Sequence, residues 1–186
     1  MFYEGGARMT GRSRHTGQLV LAALMTALTA VCAQIQIPLP PVPASLATLC
    51  VCLCGALLSP RYAAYAMASY ALLGLCGVPV FAGFAAGPSV LLGPTGGYIA
   101  GYVLSAPAIA LLLRRTGFAP RGLVLSMALG AALYFLTGTL WFLFVTGSSL
   151  STAFAACVLP FLPGEAAKIA AAAMLALRLK AAIPSI

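Results

Sequence analysis

Long apolar segments with almost no charged residues limit this chain to very few fold classes. Six such segments can be read, at roughly 18–36, 45–59, 62–78, 97–113, 122–146 and 163–179. Only 6% of the residues are charged, whereas soluble domains contain about 25%. A helix of about 20 apolar residues spans the hydrocarbon core of a bilayer and satisfies its own backbone hydrogen bonds there. The sequence therefore predicts an all-α integral membrane protein with six transmembrane helices.

The basic residues are unevenly distributed among the connections, and this predicts an orientation. Nine of the ten lie before the first segment, between the second and third, between the fourth and fifth, or after the sixth: Arg8, Arg12, Arg14, Arg61, Arg114, Arg115, Arg121, Arg178 and Lys180. Because basic residues mark cytoplasmic connections, both termini are predicted to be cytoplasmic. We expect an N-terminal tail at 1–17, a single six-helix membrane domain at 18–180 and a C-terminal tail at 181–186.

Acidic residues and histidine are too few for most catalytic mechanisms. The chain contains no Asp, its two Glu are Glu4 and Glu165, and its single His is His15 in the polar N-terminal region. A Ser-His-Asp relay, a pair of catalytic carboxylates and an HExxH metal site are therefore excluded. We expect that the chain is not an enzyme. The net charge is +8, but the predicted membrane orientation already explains where the basic residues lie. We therefore expect no nucleic-acid partner.

Six cysteines raise the question of a metal site or a disulfide. Three of them form the stretch "CVCLC" at 50–54. On a helix, residues i and i+2 point to different faces, so only Cys50 and Cys54 share a face, and no histidine or carboxylate joins them. The pattern favours cysteine as a small buried apolar residue. We expect no metal and no cofactor.

The two connections on the side without basic residues have an unusual composition. "QIQIPLPPVPAS" (34–45) and "GVPVFAGFAAGPSVLLGPTGGY" (77–98) are rich in Pro, Gly and apolar residues and carry no charge. Hydrated flexible loops are more polar, so we expect both to fold back over the bundle, where irregular backbone is tolerated. A lid over a small ligand and a compact structural loop are both compatible with these residues. Aromatic residues such as Phe81 and Tyr98 can wall a ligand or pack within the bundle.

A glutamate and a lysine interrupt the last apolar segment, in "VLPFLPGEAAKIAAAAMLALRL" (158–179). Pro163 suits the first turn of a helix, which places Glu165 at the positive end of the helix dipole and Lys168 on the same face. Each charge costs about 2.5–3.5 kcal/mol inside a membrane, so the pair is expected to face the bundle interior. Three interpretations remain: a ligand site, a structural ion pair and a proton-coupled pair. A carboxylate and an ammonium together complement a group with N–H donors and a carbonyl acceptor.

Four motifs resemble the BioY family, the biotin-binding S components of energy-coupling-factor (ECF) vitamin transporters. They are "AQIQIPLPPVP" (33–43), "GVPVFAGF" (77–84), "LLGPTGGYIAGY" (91–102) and "LPFLPGEAAK" (159–168). The resemblance extends over about 18–178 and implies a six-helix S-component fold in the plasma membrane of a bacterium or archaeon. It implies high-affinity capture of biotin for uptake, at an outward-facing site covered by the first outer loop. An S component for another small vitamin and a proton-coupled small-molecule transporter are the alternatives.

The resemblance also implies roles for particular residues. Glu165 and Lys168 are expected to hydrogen-bond the ureido ring of biotin, which has two N–H donors and one carbonyl. For the biotin carboxylate, three candidate partners remain: loop backbone N–H groups, Thr95 and a hydroxyl at the rim of the site. Two positions depart from the family pattern, because Glu165 stands where aspartate is usual and Ala47 where glutamine is common. The candidate substrate-binding residues are Glu165, Lys168, Thr95, Tyr98, Phe81 and Gly83.

Small residues on the first helix suggest a contact with a partner. Ala23 and Ala27 form an Ala-x-x-x-Ala arrangement, which permits close helix approach within a membrane. S components use such residues to meet a transmembrane coupling subunit, so the resemblance implies that subunit and ATPase subunits as partners. "GPTGG" at 93–97 lacks the GK[ST] ending of a nucleotide-binding loop, so the energy source is expected on another chain. A membrane enzyme and a structural anchor are less consistent with the residues.

Overall fold

The structure is a computed structural model that describes residues 11–37, 39 and 42–182. It is a helical bundle with a two-stranded hairpin at one end. The helices are α1 (Gly11–Gln34), α2 (Ala47–Leu57), α3 (Pro60–Leu75), α4 (Pro88–Leu92), α5 (Gly96–Thr116), α6 (Pro120–Thr146), α7 (Leu150–Cys157) and α8 (Leu162–Ala182). Strands β1 (Gln36–Ile37) and β2 (Ala44–Ser45) form the hairpin, and a 3₁₀ turn covers Ala82–Phe84.

Each of the six predicted apolar segments overlaps one helix, so the helical fold class is confirmed. Among the described residues, α1, α5 and α6 are long and apolar enough to cross a membrane, and α7 with α8 makes a fourth crossing if their 48° bend lies within one span. The helices α2 and α3 have only 11 and 16 residues, against about 20 for a straight span. The six-span topology and the position of the termini therefore stay predictions.

The helix ends follow from local sequence signals. The helices α3 and α6 both begin with proline, at Pro60 and Pro120, where the missing N–H has no helical partner and the ring fixes a helical φ. At the end of α6, Gly147 has a φ of 65° and its N–H donates to the carbonyl of Leu143, which is the left-handed cap that glycine allows. The helix α1 begins at Gly11, so the polar residues that precede the predicted start of the membrane domain at 18 are also helical.

Close contact between α5 and α6 forms the centre of the bundle. A Cβ added at Gly101 would lie 2.8 Å from the Cα of Tyr134, and one at Gly97 would lie 2.2 Å from the Cβ of Trp141. Such approach requires glycine. Tyr134 is completely buried at this contact. The packing of α5 against α6 therefore fixes the direction in which Tyr134 points.

The two ends of the bundle differ in charge. The start of α1, the α2–α3 and α5–α6 connections and the end of α8 share one end, which we call the basic end. It carries the described basic residues other than Lys168: Arg12, Arg14, Arg61, Arg114, Arg115, Arg121, Arg178 and Lys180. The hairpin, the loop between α3 and α5 and the start of α8 lie at the opposite end.

The described parts of both outer connections fold over this opposite end, as the sequence predicts. In the first, Gln36 pairs with Ser45 and Ile37 with Ala44. In the second, the Gln34 side chain at the end of α1 donates to the carbonyls of Val80 and Phe81, at 3.3 and 3.1 Å. Its Oε1 accepts the N–H of Phe84 at 2.8 Å. These bonds tie the second connection to α1.

Candidate functional site

A cavity of about 330 Å³ lies beneath the two outer connections. Its wall is built from the hairpin, the first turn of α2, the loop 81–95 and the facing sides of α5, α6 and α8. Most wall residues are apolar or aromatic, and the two charged side chains in the wall are those of Glu165 and Lys168. We call it the Glu165 cavity. A small, mostly apolar cavity with a few convergent polar groups is typical of a ligand site.

The first turn of α8 carries the charged pair into this cavity. Glu165 lies in that turn, where the helix dipole stabilises a carboxylate, and it is only 4% exposed. The Lys168 Nζ lies 2.9 Å from the Glu165 Oε2. Both the position of Glu165 and the inward direction of the pair are confirmed. An ion pair this deeply buried is held by direct charge-assisted hydrogen bonds.

Thr48, in the first turn of α2, connects the two charged groups. Its hydroxyl donates to the Glu165 Oε2 at 3.2 Å and accepts from the Lys168 Nζ at 2.8 Å. The Lys168 Nζ also donates to the Ser45 carbonyl at 3.0 Å. Since Ser45 belongs to β2 and Thr48 to α2, these bonds join α8 to the hairpin and to the helix that follows it.

Tyr134 of α6 completes the environment of the carboxylate. Its hydroxyl donates to the Glu165 Oε1, and its ring packs edge-on against that of Tyr102 with centroids 5.7 Å apart. The close α5–α6 contact at Gly101 holds Tyr134 in this direction. Glu165 therefore receives hydrogen bonds from α2, α6 and α8 at once.

The hydrogen-bonding capacity of the pair is almost completely used within the protein. A lysine ammonium has three donors, and Lys168 directs them at Ser45, Thr48 and Glu165. A carboxylate offers about four acceptor positions, and Glu165 uses three, for Tyr134, Thr48 and Lys168. A polar ligand can therefore take the remaining carboxylate position directly, but it must share or replace a bond of Lys168.

Most of the residues predicted for the site meet in this cavity. Phe81, Thr95 and Tyr98 line the wall together with Glu165 and Lys168. Phe81 is 2% exposed and packs edge-on against Tyr70 with centroids 5.5 Å apart.

The structure limits what the other predicted residues can contribute. The Tyr98 hydroxyl donates to the Cys157 carbonyl at 3.0 Å, so Tyr98 presents its ring to the cavity while its hydroxyl is occupied. Gly83 is not part of the wall. Its φ is 72°, and a Cβ there would approach the Gln36 side chain at 3.0 Å. Ala23 and Ala27 lie exposed on α1, outside the cavity.

Several wall residues were not found from the sequence. Thr48, Tyr134 and the Ser45 carbonyl make most of the hydrogen bonds to the charged pair, and Tyr102 and Ser89 also line the cavity. One usable signal was the position of Thr48 in the first turn of a helix. A threonine there has no carbonyl of its own helix four residues earlier to bond with, so its hydroxyl is available to other groups.

The cysteines of α2 are buried side chains without a metal-site arrangement. Cys50, Cys52 and Cys54 are each 0% exposed. Within the described part of the chain, no group of three or more His, Cys, Asp or Glu residues is placed to hold a metal ion. The burial of these three cysteines and of Cys157 agrees with the prediction that cysteine serves as a small buried apolar residue. The prediction is wrong for Cys76, which is exposed, and Cys32 is only partly buried.

Comparison with known proteins identifies the family. The model of the BioY family matches residues 8–185. The chain is 39% identical over 164 residues to the biotin transporter BioY of Thermotoga maritima, which covers 88% of this chain and 95% of that protein. It is 38% identical over 165 residues to the probable biotin transporter BioY of Pyrococcus horikoshii, covering 88% and 96%.

A solved structure supports the same family. The fold matches the crystal structure at 2.1 Å of the S-component for biotin from an ECF-type ABC transporter. The TM-score is 0.83 and the identity 27%, over 92% of this chain and 94% of that one. The relatives are named as transporters rather than enzymes, in agreement with the expectation that this chain is not an enzyme. The resemblance of the four motifs is thus confirmed, and the chain belongs to the BioY family.

Proposed function

We propose that this chain is a high-affinity biotin-binding membrane subunit that captures biotin for uptake, as the substrate-binding component of an ECF-type transporter. The observation that carries the proposal is the buried Glu165–Lys168 pair in the wall of an otherwise largely apolar cavity. The relatives named as biotin transporters and the similar biotin S-component support the choice of ligand. Biotin is the transported ligand, and the proposal includes no cofactor.

The ureido ring of biotin complements the charged pair. One ureido N–H can donate to the acceptor position that Glu165 has free, and the ureido oxygen can accept from Lys168. Because Lys168 already donates to three protein groups, the ureido oxygen must share or replace one of them. The second ureido N–H needs a further acceptor, and the hydroxyls of Tyr102 and Tyr134 are in the same wall. Proper pairing matters because a buried unpaired polar group costs about 1–3 kcal/mol.

The rest of the cavity suits an apolar body with one anionic end. Phe81, Phe135 and Phe161 are among the aromatic wall residues and can pack against the ring system and the aliphatic tail. Among the described residues, the wall includes no Arg, and Lys168 is its one basic residue. We therefore assign the biotin carboxylate to the hydroxyls of Ser89 and Thr95. Thr95 is the N-cap residue of α5, where the helix dipole favours an anion.

The proposed membrane placement puts the basic end in the cytoplasm and the Glu165 cavity toward the outside. Basic residues mark the cytoplasmic side, and every described basic residue except Lys168 lies at the basic end. Six crossings then require α2 and α3 to count as short spans. We propose the plasma membrane of a bacterium or archaeon as the location, with both termini cytoplasmic.

The proposed partners are a transmembrane coupling subunit and ATPase subunits, with the exposed face of α1 as the contact. Ala23 and Ala27 are exposed on α1, and small residues permit close approach of a partner helix. The solved relative is a component of an ECF-type ABC transporter, which supports the kind of partner.

Calorimetric titration of the purified protein in detergent tests the proposed ligand. We expect one saturable site for biotin and no binding of thiamine or riboflavin. A folded sample that does not bind biotin would refute the proposal. If a control vitamin bound with similar affinity, the chain would still be a vitamin-binding S component, but biotin would not be its specific substrate.

Thr48→Val is expected to weaken biotin binding by roughly tenfold. The valine has nearly the shape of threonine but no hydroxyl, so the bridge between Glu165 and Lys168 is lost. Loss of one hydrogen bond to a charged group costs about 1.5–3 kcal/mol, part of which water in the cavity replaces. Calorimetric titration of the variant gives the affinity directly.

Thr48→Ser is the matched control for this prediction. Serine keeps the hydroxyl and removes one methyl group, so we expect binding close to that of the parent. If Thr48→Val bound biotin normally while remaining folded, the Thr48 bridge would have no part in the site.

A further inference from the structure

A second cavity, of about 400 Å³, lies at the basic end of the bundle, on the far side from Glu165. Its wall combines the start of α1, the α2–α3 connection and the ends of α5 and α8. Gln18 of α1 accepts the backbone N–H of Ser59 at 2.9 Å, which joins two of these wall elements. The cavity is therefore a defined part of the fold, and we call it the Arg114 cavity.

Among the described residues, the charged side chains in the wall of this cavity are all positive. Arg114 and Lys180 are the charged side chains in its wall, and Lys180 holds its ammonium 3.8 Å from the centroid of the Phe118 ring. Glu165 is the one acidic residue within residues 11–182, and it lies in the other cavity. The two cations of the Arg114 cavity therefore have no carboxylate partner among the described residues.

Helix ends alone do not account for this arrangement. Basic residues are favoured in the last turn of any helix because they complement the dipole. Arg115 occupies the last turn of α5 just as Arg114 does, but it is not part of the cavity wall. What distinguishes Arg114 and Lys180 is that two different helices bring them to one concave surface that also offers the polar groups of Gln18 and Ser59.

We propose that the Arg114 cavity binds the phosphate group of an anionic ligand, with the headgroup of an anionic membrane lipid as its source. A guanidinium donates two parallel hydrogen bonds to a phosphate, and an ammonium adds a point charge. Basic pockets between transmembrane helices at the cytoplasmic side bind anionic headgroups in this way. The lipid source rests on the membrane placement given under the proposed function, whereas the phosphate site does not depend on biotin.

The test compares lipid binding by two double variants of equal charge. Native mass spectrometry counts phosphatidylglycerol and phosphatidylcholine molecules bound to the full-length protein in a nonionic detergent. Arg114→Gln/Lys180→Gln removes both cations of the cavity, and Arg115→Gln/Arg121→Gln removes two at the same end outside it. Each cation near an anionic lipid contributes about fivefold in affinity, so the first variant is expected to bind phosphatidylglycerol on the order of twentyfold more weakly. The second is expected to keep the site.

The possible outcomes distinguish a lipid headgroup from a soluble phosphate compound and from a protein contact. Equal losses in both variants would mean general attraction to the basic end, and equal binding of the two lipids would mean that the headgroup charge is not recognised. Either result would overturn the lipid headgroup as the ligand. Thermal stabilisation of the parent, but not of the cavity variant, by inorganic phosphate alone would support the phosphate site. The same stabilisation without a preference for phosphatidylglycerol would overturn the lipid source and indicate a soluble phosphate compound instead. Loss of co-purifying transporter subunits with unchanged lipid binding would make the cavity a protein contact and overturn the proposal.

Biotin titration of the same variants keeps this proposal separate from the proposed function. Neither variant changes a residue of the Glu165 cavity, so both are expected to bind biotin like the parent. Normal biotin binding with no selective lipid site overturns the lipid proposal alone.

Discussion

Lys168→Ala is expected to weaken biotin binding at least about thirtyfold, because truncating one member of a buried hydrogen-bonded charge pair costs about 2–5 kcal/mol. The variant removes the proposed donor to the ureido oxygen and the bonds to Ser45 and Thr48. Calorimetric titration measures the loss, and Lys180→Ala, a lysine removed at the other end of the bundle, is expected to bind biotin like the parent.

A structural role for the ion pair makes a different prediction. Lys168→Ala leaves Glu165 buried without its counter-charge, which destabilises a protein by about 3–5 kcal/mol. The double variant Glu165→Gln/Lys168→Met removes both charges and is expected to recover the thermal stability, since neutral side chains of similar size often replace buried ion pairs without loss. We expect this stable variant to bind no biotin. If it binds biotin normally, the pair serves the fold and the ligand assignment is wrong.

Gly101→Ala is expected to destabilise the bundle by about 1–3 kcal/mol, the usual cost of overpacking a close contact. The new Cβ would lie 2.3 Å from the Thr137 Oγ1 and 2.8 Å from the Cα of Tyr134, so α6 must move away from α5. That shift displaces the Tyr134 hydroxyl from Glu165 and should also weaken biotin binding. Thermal unfolding in detergent and biotin titration measure the two effects.

Gly17→Ala is the matched control, because a Cβ at Gly17 would meet no atom within 4 Å. Alanine is favoured over glycine within a helix by about 1 kcal/mol, so unfolding is expected at the same or a slightly higher temperature. Equal effects at both positions would mean that the α5–α6 contact is looser than the structure shows.

The six longest helices were predictable because their signal is local, whereas the short helices α4 and α7 were not predicted. An apolar run is recognisable within about twenty residues of sequence, and each predicted segment overlaps a helix. The charged pair was predictable for a related reason, since a charge in such a run is costly and rarely without purpose. The extension of α1 to Gly11 was missed because the residues before 18 are polar, and polar residues form helix without an apolar signal.

The partners of the charged pair depend on contacts that span long distances along the chain. Thr48 lies 117 residues from Glu165, and Tyr134 lies 31 residues from it. Hydroxyl residues cost little within helices because they can bond to a carbonyl of the preceding turn, as Thr26 and Thr29 do. Their presence in an apolar segment therefore does not reveal which of them face a cavity. That depends on how the helices pack.

The position of Trp141 gives the protein an internal optical probe. It is the single tryptophan of the chain, and its indole N–H donates to the Gly93 carbonyl at 3.0 Å. Gly93 lies in the wall of the Glu165 cavity, so a ligand that moves the second outer connection changes the surroundings of this one indole. The emission of the unlabelled protein should therefore report occupancy in real time, and the association and dissociation rates of biotin become measurable by stopped-flow mixing.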